Sequence, residues 1–204
     1  MDKKKIIVIS IASVLAVLLF IGGILAFFTD IDTKTNVFTL GDNVEISLTE
    51  NFTPADGLDI HPGRVISKAP SIKNDSATTP AYVFAEVIVP CYATTGTTVN
   101  ADLFTFTANS DWTLINTPVV DTDRKTKTYV YAYGTSSAMT TLSADTTTST
   151  AVFNQVTLVS TLTQEQKETA SATPDIIVNA YGIQIDNLGT TDPAAIYNIV
   201  NPTV

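Results

Sequence analysis

Residues 81–92 read AYVFAEVIVPCY and give the strongest strand signal in the chain. Val, Ile, Phe and Tyr favour strands because their side chains pack well on a pleated surface. Both alternating sets of positions are largely apolar, which is typical of a strand covered on its two faces. We therefore predict a central strand that ends at Pro90, since proline has no N–H for a sheet ladder.

Shorter strand patterns flank this segment, separated by turns rich in Thr, Ser, Asn, Asp and Gly. Val44, Ile46 and Leu48 alternate with polar residues, which is the period of a half-buried strand. The other segments with strand composition are 103–107, 112–115, 128–133, 151–161 and 176–185. About eight short strands of this kind predict an all-β fold in which two sheets form a sandwich.

One helical passage interrupts the strands. Residues 163–166 have the spacing of a capping box, and helical composition continues to residue 172, before Thr173 and Pro174. We expect one short helix of two or three turns at the rim of the sheets. The Thr-rich residues 135–150 predict a solvent-exposed loop.

The amino terminus has the layout of a secretory signal peptide. Residues 1–5 contain three lysines and one aspartate and are net basic, and residues 6–28 carry no charge. We predict a signal peptide over residues 1–26, cleavage between Ala26 and Phe27, and one domain over residues 27–204. The alternative is an uncleaved anchor, because this uncharged run is long enough to span a bilayer. Either way the remainder is expected outside the cytoplasm, secreted or at the cell surface.

Charge and cysteine content narrow the possible functions. The chain carries 11 basic and 20 acidic residues, and three of the lysines lie in the predicted signal peptide. So acidic a domain repels phosphate backbones, and we predict no nucleic-acid partner. Cys91 is the sole cysteine, so there is no intrachain disulfide. Its position in an apolar strand favours a buried small hydrophobe over a reactive thiol.

Three tyrosines fall on one face of a predicted strand. Tyr129, Tyr131 and Tyr133 alternate with Val130 and Ala132. An aromatic stripe of this kind could bind a sugar or a partner protein, which leaves a surface adhesin as one alternative. The interpretation we favour is cross-strand packing with the hydroxyl groups at the rim.

The sequence offers few groups for catalysis. A zinc protease needs three protein ligands, usually including two histidines on one helix, and this chain has a single histidine, His61. There is no HExxH motif, no GxSxG motif and no evident base for Cys91. We therefore predict a protein that is not an enzyme, with no catalytic residue and no cofactor.

Two pairs of aspartates could donate oxygen ligands to calcium. Asp30 and Asp32 form one pair, and Asp121 and Asp123 form the other. Neither pair has the further ligands and the turn glycine of an EF-hand loop. We interpret both as solvated turn carboxylates and predict no metal.

Several passages resemble one family in the correct order along the chain. Residues 22–30, GGILAFFTD, resemble the GGTLAYFTD junction at which a SipW-type signal peptidase cuts its substrates. The passages that resemble the strands and turns beyond it are 32–41, 44–50, 62–63, 68–74, 81–84 and 175–184. Together these passages resemble the TasA/camelysin family of exported Gram-positive bacterial proteins.

This resemblance implies a jelly-roll-like sandwich and a structural function outside the cell. The expected protein is a subunit of an extracellular matrix (biofilm) fibre or of a cell-surface layer, in contact with the membrane only during export. It would form homo-oligomers or fibres with other matrix proteins. Assembly would occur when residues 27–40, freed by cleavage, complete a neighbour's sheet as a donor strand. The residues expected to act in this strand are Phe27, Phe28, Thr29, Ile31, Thr35, Val37, Phe38 and Leu40.

Two alternatives to donor-strand assembly remain. Residues 27–40 could pair within their own domain or fray at its edge. The family also includes camelysin, a cell-surface metalloprotease, so the resemblance implies a metal-dependent peptidase as the second candidate function.

Overall fold

The computed structural model of this protein describes residues 44–57, 60–170 and 174–202. The first strands are β1 (Ile46–Asn51), β2 (Val65–Ser67), β3 (Ala69–Asn74) and β4 (Ala81–Ala93), with a 3₁₀ helix at Pro54–Gly57 after β1. The middle strands are β5 (Val99–Asp102), β6 (Phe104–Phe106), β7 (Trp112–Leu114), β8 (Val119–Asp121) and β9 (Thr126–Tyr133). The last elements are β10 (Thr146–Thr147), β11 (Gln155–Leu158), α1 (Gln164–Thr169), β12 (Ile177–Gln184) and α2 (Pro193–Val200).

These strands form two layers around one core, which confirms the all-β sandwich. One layer is a six-stranded antiparallel sheet in the order β12-β4-β9-β7, with β5 added to β4 and β8 added to β9. The opposite layer consists of two three-stranded sheets, β1-β3-β10 and β2-β11-β6. Inward side chains of both layers meet in a single cluster, of which Ile72, Val83, Val87 and Phe153 are fully buried.

Strand β4 is the central strand that the sequence predicts. It pairs with β12 along one edge and with β9 along the other. The prediction that it ends at Pro90 is wrong, because the strand continues to Ala93. The proline is tolerated because it lies where the pairing partner on one edge changes, between Ile88 opposite β12 and Cys91 opposite β5.

The outer face of the six-stranded sheet is also covered, which explains why β4 is apolar at both sets of positions. Phe84, Ala132 and Ile183 form a second buried cluster with Ile196 of α2. The sequence pattern predicts one helix, and α2 is a second helix that it does not predict. Its start has a recognisable signal, since the Asp192 side chain caps the helix by accepting from the backbone N–H of Ala195 (3.2 Å).

The predicted helix and the predicted loop are both present, each with a difference. Helix α1 begins with the expected capping box between Thr163 and Gln166 and ends earlier than predicted, at Thr169. The Thr-rich loop is mostly exposed but closes onto the fold, because Leu142 and Thr148 are buried within it. No helix in the described ranges is both long and apolar enough to cross a bilayer.

Candidate functional site

Two edge strands of opposite layers lie together on one side of the sandwich. Among the strands that the structure describes, β1 pairs only with β3, and β12 pairs only with β4. The two strands nevertheless pack beside each other across the core. We call this pair of strands the β1–β12 seam. Each member has one edge without a strand partner in the described part of the chain, so the seam is a place where a further strand can add.

One end of the seam is closed by direct contact. An ideal Cβ atom on Gly182 would lie 2.9 Å from Cγ2 of Ile46, so β1 approaches the backbone of β12 at a distance that only glycine permits. Ile46 and Val44 are buried here. Side-chain hydrogen bonds reinforce the same end, since the Glu45 backbone N–H donates to Ser76 Oγ (2.8 Å).

The other end of the seam opens into a cavity between the layers. This cavity has a volume of about 280 Å³, and Ile66, Phe104, Val156 and Ile176 are among its apolar lining residues. A second cavity of about 330 Å³ shares Ile60, Phe104 and Pro174 with the first, and its lining adds Leu103, Leu158 and Leu162. We call the two cavities together the apolar groove.

The lining of the apolar groove also includes an ion pair, Glu50 with Lys68, and the aromatic ring of Phe52. Lys68 Nζ lies 2.5 Å from Glu50 Oε1, and the Lys68 side chain is the more buried of the two. The same ammonium group is 5.1 Å from the centre of the Phe52 ring, within the range of a cation–π contact. Phe52 is among the large hydrophobic residues that are exposed in the described ranges. This edge of the groove is therefore lined by side chains that contact one another, and not by close backbone packing.

Residues 27–40 and the cleavage site lie outside the described residues. This applies to Ala26 and Phe27, and to every residue of the predicted donor strand: Phe27, Phe28, Thr29, Ile31, Thr35, Val37, Phe38 and Leu40. Asp30 and Asp32 are outside as well. Their predicted roles stay predictions. The described residues include the β1–β12 seam but not the segment predicted to add to it.

The tyrosine stripe packs into the core. Tyr131 and Tyr133 are buried, and Phe106 meets Tyr131 edge to face. The Tyr133 hydroxyl is 2.8 Å from Ser149 Oγ. Cross-strand packing thus accounts for the stripe, and its faces are not available as a binding platform.

The Cys91 thiol belongs to a polar cluster around Asp102. The Asp102 carboxylate accepts hydrogen bonds from Tyr129 Oη and from Lys127 Nζ, the latter at 2.8 Å. Burial raises the pKa of Cys91 to about 11, and the nearby Asp102 charge adds to the shift. Burial and the Asp102 hydrogen bond also raise the pKa of Tyr129. A thiol that stays protonated is a poor nucleophile, so this cluster is structural.

A second carboxylate, Glu86, attaches α2 to the outer face of the sheet. It accepts hydrogen bonds from Asn179 Nδ2 (2.8 Å), Tyr181 Oη (3.2 Å) and Tyr197 Oη (3.3 Å). Burial raises the pKa of Tyr197 to about 12 and also raises that of Tyr181. Both phenols therefore remain donors to the carboxylate over the physiological pH range.

His61 and the Asp121 pair are turn residues. The His61 carbonyl accepts a hydrogen bond from the Arg64 backbone N–H (2.9 Å). Pro62 and Gly63 lie between them, and the φ of 82° at Gly63 fits a type II turn. Asp121 Oδ1 accepts from the backbone N–H groups of Asp123 (3.0 Å) and Arg124 (2.9 Å). Within residues 44–57, 60–170 and 174–202, no three His, Cys, Asp or Glu side chains are grouped to hold a metal ion.

The sequence comparisons match part of the chain to one family. Residues 2–101, nearly half of the chain, match the family model described as Camelysin metallo-endopeptidase. The match covers β1 to β4, and therefore includes Glu50, Phe52 and Lys68 of the groove lining. No curated protein and no solved structure shows a match to this chain.

Proposed function

Through residues 2–101 the chain belongs to the camelysin family, and from this premise we propose that it is an exported structural protein. In this proposal a SipW-type signal peptidase cuts between Ala26 and Phe27. Residues 27–40 of one copy then add as a donor strand to the β1–β12 seam of another. The product is a fibre or layer at the cell surface or in the extracellular matrix.

The observation that supports the proposal is that the apolar groove lies next to the edges of β1 and β12 that have no strand partner among the described residues. A strand edge supplies rows of backbone N–H and C=O groups that an added strand can satisfy. The groove supplies apolar pockets in which alternate side chains of that strand can be buried, and this burial gives the pairing its register. At the seam both features occur in the same place.

The amino-acid composition of residues 27–40 favours a strand that could add to the β1–β12 seam. The segment reads FFTDIDTKTNVFTL and is rich in aromatic, β-branched and threonine residues, all of which favour strands. It contains neither glycine nor proline, so nothing in it interrupts a ladder. Before cleavage the segment is joined to the apolar residues 6–26, and release from them would free it to pair.

The test compares three forms of the mature chain, residues 27–204, by light scattering and electron microscopy. The first is unchanged, the second lacks residues 27–33, and the third carries an equally long Gly/Ser stretch in their place. We expect filaments from the first form and none from the other two. Unchanged filaments in the third form would end the proposal, because strand-forming side chains would then be unnecessary.

A metal-dependent peptidase is the second candidate function, and the description of the family model favours it. A zinc peptidase usually draws two of its ligands from histidines, and the full sequence contains only His61. Casein zymography of the mature chain, with and without a chelator, separates the two functions. Digestion that the chelator abolishes would establish the peptidase, and we expect no digestion in either lane.

A further inference from the structure

We propose that Lys127 and Asp102 join in an intramolecular isopeptide bond, an amide between the lysine amine and the aspartate carboxyl group. The structure holds the two groups as an ion pair, which is the state before condensation. No disulfide can form within this chain, since Cys91 is its sole cysteine. An amide between two side chains would give the sandwich a covalent cross-link of another kind, independent of the β1–β12 seam and of the proposed assembly.

The sheet brings the two reacting groups together over one face of β4. Asp102 in β5 lies opposite Cys91, and Lys127 in β9 lies opposite Val89. Cys91 and Val89 are two positions apart on β4, so both partners project to the same side of the sheet. Lys127 Nζ lies 2.8 Å from Asp102 Oδ1. The carboxyl carbon is one bond beyond this oxygen, so the amine is held next to the atom that it would attack.

The contact between Lys127 and Asp102 is largely shielded from water. The Lys127 side chain is 18% exposed, and the Asp102 side chain is 24% exposed. Removal from water penalises both charges, so it favours the neutral form of the pair, in which one proton has passed from Nζ to Oδ1. The neutral amine is the nucleophile in amide formation. The same shielding protects the product from hydrolysis.

Tyr129 supplies a hydrogen-bond donor on the other carboxylate oxygen. Its hydroxyl group donates to Asp102 Oδ2, while Lys127 contacts Oδ1. Burial and this hydrogen bond raise the pKa of Tyr129, so the phenol keeps its proton. When Nζ adds to the carboxyl carbon, negative charge develops on Oδ2, and a fixed donor at this position stabilises that charge. The carboxyl group therefore has a nucleophile on one side and an oxyanion donor on the other.

The proposed step is a condensation that needs no further reactant. One proton passes from the Lys127 ammonium group to Asp102 Oδ1, and the neutral Nζ then forms a bond to Cγ. A second proton moves from Nζ to Oδ1, and the bond between Cγ and Oδ1 breaks as Oδ1 leaves as water. The double bond from Cγ to Oδ2 forms again, and the third proton stays on the amide nitrogen. Tyr129 retains its own proton, and no atom is oxidised or reduced.

The ion pair between Glu50 and Lys68 shows what distinguishes this site. Its side chains have a similar burial, with Lys68 11% and Glu50 28% exposed, and its charged atoms are 2.5 Å apart. Within the described residues, however, no hydroxyl group donates to the Glu50 carboxylate, which contacts Lys68. Because this pair lacks an oxyanion donor, we expect it to remain an ion pair.

The cross-link would secure a short and irregular strand. Strand β5 has four residues, and its register against β4 shifts between Tyr92 and Ala93. In the sheet order β5 pairs with β4 and does not pair with β9. An amide between Asp102 and Lys127 would therefore join two strands that the described backbone hydrogen bonds do not join.

The decisive experiment measures the mass of the purified protein after denaturation. We expect the unchanged chain to be lighter by one water molecule than the mass calculated between its observed termini, and Lys127→Arg to have its full calculated mass. Asp102→Asn should lose one ammonia molecule instead, because the side-chain amide then supplies the leaving group. Tryptic digestion should release a branched product that joins residues 74–124 to residues 126–167, since trypsin does not cut at a lysine held in an amide.

Two further variants separate the reaction from the fold. Tyr129→Phe keeps the ring and removes the donor, and we expect its rate of cross-linking after synthesis to be at least about tenfold lower, because loss of one oxyanion donor slows acyl transfer by about 10²–10³-fold. Lys68→Arg changes the comparison pair and is expected to leave the loss of water unchanged. Thermal unfolding verifies that each variant is folded.

The mass measurements can overturn the cross-link in three ways. A folded, unchanged chain with its full calculated mass would do so directly. A loss of water that persists in Lys127→Arg would do so as well, because it would then come from another site. Equal rates for Tyr129→Phe and the unchanged chain would contradict the role of the phenol. None of these results depends on whether filaments form, so the proposed function is tested separately.

Discussion

The two ends of the β1–β12 seam are built from the same pair of strands and differ in how those strands meet. At one end Ile46 is buried against the backbone of Gly182. At the other end the strands border an open cavity, whose lining includes the ion pair between Glu50 and Lys68. Packing at close range cannot be exchanged for another contact without rebuilding the core. An open cavity lined by an ion pair can be rearranged at lower cost, so we expect the packed end to contribute more to stability than the groove end.

The largest effect that tests this difference is expected from Ile46→Ala. The side chain is 4% exposed and packs in the core, so its loss should lower the free energy of unfolding by about 2–4 kcal/mol, as for other large-to-small core changes. Chemical denaturation followed by tryptophan fluorescence measures this quantity, since Trp112 is buried in the same core.

The matched control lies on the other strand of the seam. Ile177→Ala removes the same atoms from a residue that is 50% exposed, and we expect a change within about 0.5 kcal/mol. Equal losses for the two alanine variants would show that the Ile46 end carries no special share of the stability.

The sequence predicts those parts of the fold whose signal is local. Strand β4 is recognisable because both of its alternating sets are apolar, and β1 because Val44, Ile46 and Leu48 alternate with polar residues. Strands β2, β8 and β10 escape prediction because each has three residues or fewer and none is aromatic, whereas the equally short β6 and β7 contain Phe or Trp. Their pairing depends on distant partners, as when Thr146 lies opposite Asn74. A short stretch of sequence cannot reveal a pair of residues that lie so far apart along the chain.

The candidate site was less predictable than the fold. The apolar groove takes its lining from β2, β6, β11 and the residues before β12, and no short motif joins these segments. The pairing of Glu50 with Lys68 depends on the antiparallel pairing of β1 with β3, which places Asn51 opposite Ala69, the residue after Lys68. Helix α2, in contrast, was within reach, since Asp192 followed by Pro193 is a typical helix start.

A smaller effect is expected from Gly182→Ala. The added Cβ atom would lie 2.9 Å from a methyl group of Ile46, so β1 or the side chain must shift, at a cost of about 1–3 kcal/mol. Gly57→Ala is the matched change at the groove end, where the added atom meets the partly exposed Phe52 ring, with Cζ at 3.3 Å. We expect less than about 1 kcal/mol there, because the ring can move into solvent. Thermal unfolding of both variants measures the contrast, which a cost at Gly57 equal to that at Gly182 would remove.

The smallest effect concerns Asp75, which follows β3 at the Gly182 end and donates its backbone N–H to the Glu45 carbonyl (2.7 Å). The hydrogen bond from the Ser47 side chain, and after it the one from Lys73, lower the pKa of Asp75 below its ordinary value of 3.8, against the opposing effect of burial. A carboxyl group whose pKa is lowered by folding stabilises the fold fully above its unfolded pKa. That contribution disappears as the pH falls through the folded value.

The variant Asp75→Asn should therefore lower the free energy of unfolding by about 0.5–1 kcal/mol at pH 7, the usual net value of one hydrogen bond. It should differ little from the unchanged chain once the pH is well below the ordinary pKa of the carboxyl group, because both forms are then neutral at this position. Urea denaturation at a series of pH values measures the difference. Asp123→Asn, at an exposed turn position, is the control that should show no such pH dependence. A difference for Asp75→Asn that persists undiminished in acid would mean that the charge of Asp75 contributes nothing. The closure of the Gly182 end would then rest on the Ile46 contact and on uncharged hydrogen bonds alone.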